Sequence, residues 1–158
     1  MSNLNPQQFL GHEDRVSVAE EVMERAGHVG RTWHVPAMHM DDPARPEAHR
    51  EIHEHVDKIL SQHGKPGMGI RVVPKHWDLR QSGSGQAMAD TMMNSIGLKG
   101  EDVSDMTLLH EVAHLIHGPK VGHGPEFVDT VHDLYHQHIS PEAGDTFARI
   151  AHPGRRSL

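Results

Sequence analysis

His110, Glu111 and His114 follow one another in the order HExxH. On an α-helix, residues four apart lie one turn apart on the same side, so both imidazoles can reach a single ion at about 2.0–2.1 Å. The chain has no cysteine, so any metal must be bound through His, Asp or Glu, and an imidazole pair suits Zn2+. Such an ion lowers the pKa of a bound water towards about 7 and polarises a scissile carbonyl. Glu111, beside the first histidine and off to the side of the metal-binding face, is in position to take the water proton and pass it to a leaving amine.

In a chain with 17 histidines the bare pattern arises readily by chance, so its surroundings decide its weight. Leu108, Leu109, Val112, Leu115 and Ile116 form a stripe nearly opposite His110 and His114, so that one face anchors the helix and the other is left for metal. Asp102 or Ser104 can cap the start of this helix, and Gly118 followed by Pro119 can end it. Most other histidines, including His12, His28, His49, His53, His55 and His63, sit in polar contexts where a solvated ring is expected.

A hydrolytic zinc site needs a third protein ligand and an open position. His117 lies about 10 Å along the helix axis from His110, too far to share one ion. His123 is better placed: the segment 118–122 can turn the chain back, and a new helix starts at Gly124–Pro125. Asp129 and Asp133, further into that helix, remain rivals on position alone. Phe127, Val128, Val131, Leu134 and Tyr135 give the helix 125–138 a continuous apolar stripe, whose packing would hold His123 in place. Tyr135, His132 and His136 are the available hydrogen-bond donors for a tetrahedral intermediate, and nothing in the sequence selects one.

Upstream, the pattern predicts a helix over 14–26 stopped by Gly27, a Pro-rich loop over 30–46 and an amphipathic helix over 47–62. A strand is predicted over 68–73, followed by a Gly/Ser turn at 81–85; the mixed signal between 86 and 99 fits one or two strands or a short helix, with strand favoured. At 158 residues and with no repeat, the chain suits a single domain with loose ends at 1–10 and 153–158. The net charge of −7 and the lack of a basic block argue against a nucleic-acid surface. No stretch approaches the roughly 18 apolar residues of a membrane span, and the polar N-terminus is not a secretory signal, so the expected compartment is the cytoplasm.

The run from His110 to Phe127, HEVAHLIHGPKVGHGPEF, resembles the SprT/Spartan-like zincin metallopeptidases in its HExxH helix and its HGPEF segment. It is also similar to the small metallohydrolases of actinobacteria and their phages. The resemblance covers about eighteen residues strongly and the preceding strand region loosely. It implies Zn2+ on His110, His114 and His123, Glu111 as general base, a protein or peptide substrate, and an α+β, reduced zincin-like fold with a small mixed sheet beside the motif helix. The chain departs from Spartan in its shorter loop between His114 and His123 and in lacking a zinc ribbon and a basic tail. The ImmA/IrrE-like repressor-cleaving peptidases, which also use an HExxH helix with a histidine-rich continuation such as His117, are the alternative resemblance and rank second because they lack the HGPEF segment. The metzincin pattern would need a histidine where Lys120 stands. A non-catalytic, zinc-stabilised interaction module is the alternative from another functional class.

Overall fold

The computed structural model describes residues 12–35, 49–65, 69–72, 87–90, 95–98, 102–118 and 123–152. The elements run α1 (His12–Arg25), β1 (Thr32–Trp33), α2 (Arg50–Gln62), β2 (Gly69–Val72), β3 (Ala87–Asp90), β4 (Ser95–Leu98), β5 (Val103–Ser104), α3 (Asp105–His117), α4 (Pro125–His138) and α5 (Pro141–Ala151). The class is α+β. By contact the chain groups into two compact units, one formed by 1–30 with 120–158 and the other by 31–119.

In the unit spanning 31–119, β4 lies between β2, to which it runs parallel, and β3, to which it runs antiparallel. A separate two-stranded antiparallel pair joins β1 to β5, with Thr32 opposite Ser104 and Trp33 opposite Val103. Helix α2 buries Ile52, Val56, Ile59 and Leu60, the four positions its period marks as core. Helix α3 contacts α2, β3, β4 and β5, and Leu108, Leu109, Val112 and Leu115 are at most 2% exposed. Ile116, at the edge of the same stripe, is half-buried.

The other unit contains α1, α4 and α5, with α5 packed on both of the others. Tyr135 and Phe147 meet edge to face at its centre, with ring centroids 5.1 Å apart. The Tyr135 hydroxyl donates to Glu20 Oε2 at 2.6 Å, which satisfies a polar atom on a fully buried ring. Gly144 allows α4 and α5 to approach closely: a Cβ there would lie 2.7 Å from His136 Cβ and 3.0 Å from His136 Cα.

Three elements depart from the sequence pattern. The segment expected as loop from residue 30 contains β1, because its short backbone run pairs with residues 103–104 rather than with a sequence neighbour. Val103 and Ser104, read as the approach to the motif helix, form that partner strand. Helix α5 lies where the pattern places no element, although Ser140 accepts from Ala143 N–H as its N-cap and Pro141 occupies its first turn. The strand reading of 86–99 holds at β3 and β4. The turn at 81–85, the chain ends at 1–10 and 153–158, and most of the loop at 30–46 lie outside the described residues.

Candidate metal centre

Helix α3 is pinned at both ends. Ser104 Oγ accepts from Thr107 N–H at 3.3 Å, which makes it, rather than Asp102, the N-cap. Asp102 instead lies 2.9 Å from His34 Nδ1 on the exposed surface. At the other end, Gly118 takes φ 78 and its N–H returns to His114 O at 2.8 Å. An L side chain is disfavoured in that backbone region, so this glycine suits the stop directly after the motif.

Asp105, in the first turn, is an anchor that sequence reasoning missed. Its Oδ2 accepts from Arg31 N–H at 2.9 Å and its Oδ1 from the Trp33 indole N–H at 2.6 Å. The His55 ring stacks on Trp33 with centroids 4.8 Å apart, and its Nε2 lies 3.6 Å from Asp105 Oδ1. His55 is therefore half-buried against the anchor, not on a solvated face as its polar neighbours suggest. Burial pushes the Asp105 carboxyl up, but the bonds to His55, Trp33 and Arg31 outweigh it and hold the group below its ordinary value. No local sequence signal could have picked out this aspartate, since its partners lie 74 and 72 residues away.

Two of the motif histidines meet on the opposite side of α3 from its apolar stripe. His110 Nε2 and His114 Nε2 lie 3.2 Å apart, with ring centroids 5.0 Å apart and planes at 64°. Two nitrogens bound at 2.0–2.1 Å to one tetrahedral ion would be separated by about 3.3 Å. The pair is thus already spaced for a chelate. His123 precedes α4, whose N-cap is Gly124. Its ring lies over Phe127 at 4.7 Å between centroids, and Phe127 is fully buried, so the core of α4 fixes the plane of this imidazole. Ligand atoms of His110, His114 and His123 all lie within 4.8 Å of one another. This group can hold a metal ion.

The rival ligands face elsewhere. Asp129 Oδ1 is 3.3 Å from His152 Nε2, and the Asp133 side chain is 78% exposed and 3.8 Å from His132 Nδ1. Among the described residues the metal-competent group is the three histidines, with Asp129, Asp133 and His117 outside it. Tyr135 is engaged with Glu20, as described above, and His136 is exposed.

Glu111 is 3% exposed, not the solvated helix glutamate its charge alone would suggest. Its Oε2 accepts from Ala89 N–H of β3 at 2.9 Å, a backbone partner that no side-chain pattern could reveal. The donor set itself, three imidazoles, suits a borderline-soft ion such as Zn2+ better than a hard one such as Mg2+.

Comparison with family models, with curated proteins and with solved structures finds no match. The functional reading accordingly rests on these residues and their geometry.

Proposed function

We propose that this chain is a zinc-dependent hydrolase and, within that class, a metallopeptidase of reduced zincin type. The observation that supports this best is the 3.2 Å separation of His110 Nε2 and His114 Nε2, with His123 in the same group and a buried carboxylate on the intervening turn. A Zn2+ ion held by the three imidazoles would supply Lewis acidity and an acidified water. In this reading Glu111 takes the proton of that water and carries it to the leaving nitrogen, which restores the carboxylate after each turnover. A protein or peptide is the proposed substrate; the acidic chain gives no reason to expect a nucleic acid. Among the described residues no helix is long and apolar enough to cross a membrane.

One observation favours a second reading, a zinc-stabilised interaction module without catalysis. Glu111 Oε2 is already bonded to a strand, as a purely structural glutamate would be. Elemental analysis of the chain comes first, with one zinc per chain expected and none in a His110→Ala/His114→Ala variant. Hydrolysis of fluorescently labelled casein by the zinc-loaded protein and by Glu111→Gln then separates the readings. A peptidase loses turnover in Glu111→Gln while retaining its zinc; absence of metal in the wild type sinks both readings.

A further inference from the structure

We infer that the backbone N–H of Ala89 is a positioning group for Glu111, holding its carboxylate in the one orientation that serves the metal centre. The role given to Glu111 rests on the hydrolase reading; the hydrogen bond does not.

Strand β3 is bordered by β4 on one side, with Ala89 opposite Ile96. The Ala89 N–H is spent on Glu111 Oε2, across 22 positions of sequence, and so is directed off the ladder. Strand β3 is an edge of its sheet among the described residues, and helix α3 runs in contact with it. The bond therefore joins the motif helix to a strand edge at the residue between the two metal-binding turns.

Two physical arguments give this contact a role beyond packing. First, a carboxylate that is 3% exposed needs hydrogen bonds to its charged form, and a backbone donor supplies one without adding a competing charge beside the imidazoles. Second, glutamate has three side-chain torsions, and a base must be held to about 0.5 Å to act on a water at a fixed metal. A rigid strand amide at 2.9 Å supplies that restraint from outside the helix.

The test uses the zinc-loaded full chain and acetohydroxamic acid, a small chelator whose metal-bound oxygen shares a proton with a carboxylate beside the ion. Ala89→Pro deletes the N–H, and proline is tolerated on an edge strand where the N–H faces away from the ladder. Calorimetric titration is expected to show hydroxamate binding about tenfold weaker in Ala89→Pro, the effect of one hydrogen bond to a charged acceptor, with zinc still at one per chain. Ala89→Ser, which restores the N–H, restores binding. The double variant Ala89→Pro/Glu111→Gln binds no more weakly than Glu111→Gln alone, because both changes act through one carboxylate. Wild-type affinity in Ala89→Pro, or additive losses in the double variant, overturns the inference.

Amide exchange provides a second arm that does not depend on the proline variant folding. In the zinc-loaded protein the Ala89 amide is expected to exchange at least tenfold faster in Glu111→Ala than in the wild type; equal rates overturn the inference. Casein left intact by the wild type, with the hydroxamate effect present, would remove the peptidase reading and leave the positioning role standing. The reverse result would do the opposite. A chain that takes up no zinc overturns both.

Discussion

Replacing Asp105 with asparagine tests how the metal helix is anchored. The two side chains have the same shape, but an amide offers one oxygen where the carboxylate offers two. With that oxygen towards the more deeply buried Trp33 N–H, the amide nitrogen faces Arg31 N–H, and the 2.9 Å bond becomes a donor–donor contact. Loss of a hydrogen bond to a charged acceptor costs about 1.5–3 kcal/mol, and the Arg31 site is only partly buried, so about 2 kcal/mol is expected for Asp105→Asn. Asp105→Ala strands both donors, and about 3–4 kcal/mol follows. Urea unfolding at pH 7 measures both values. The pH dependence supplies an independent check. The folded-state pKa of Asp105 lies below its ordinary value of 3.8, so its charge contributes stability in full above the unfolded value. That contribution is lost as pH falls through the lower, folded value. The gap between wild type and Asp105→Asn should therefore narrow in acid, as pH falls from about 4 through the folded value. Equal stability at pH 7, or a gap unchanged at the acid end, would refute the assignment of Asp105 as a charged anchor.

The remaining predictions concern the third ligand and the helix crossing. His123→Ala is expected to lower zinc affinity by at least about tenfold in a competition titration against a fluorescent chelator while the chain stays folded. Unchanged affinity would exclude His123 as a ligand and turn attention to Asp129. Gly144→Ala should destabilise the protein in thermal melts by up to about 2 kcal/mol. The new methyl would lie 2.7 Å from His136 Cβ and 3.0 Å from its backbone, and the overpacking cost of about 1–3 kcal/mol exceeds the roughly 1 kcal/mol gained in helix propensity. A stabilised Gly144→Ala would mean that α4 and α5 separate more easily than their packing implies.

Much of this architecture was legible from spacing. Helices α1 to α4 follow from apolar residues recurring at three and four positions, and the caps at Ser104 and Gly118 follow from residue types that satisfy helix ends or tolerate a positive φ. The HExxH spacing alone brings His110 and His114 together, because both lie on one helix and its geometry is fixed. Helix α5 carried readable signals as well, a Ser-Pro-Glu start and the buried Phe147 and Ala148. Its buried positions, Ala143, Gly144, Phe147, Ala148 and Ala151, also recur at helical spacing, so the period of this helix stands in the sequence too.

Other features depend on contacts between residues far apart in sequence, and for these a linear pattern holds no information. The two-residue strands β1 and β5 are too short to show any alternation and exist because they pair with each other. Asp105 looks like an ordinary first-turn acid, yet its carboxylate anchors a segment more than seventy residues upstream. His55 reads as a solvated ring until Trp33 and Asp105 are brought against it. The restraint on Glu111 comes from a backbone N–H, which every residue but proline carries and no residue type advertises. Residue identity and helical period thus determined which side chains can bind a metal and where along the chain they stand. Tertiary structure alone decided what holds them still, because a hydrogen bond forms between atoms that folding brings within about 3 Å, whatever their separation in sequence.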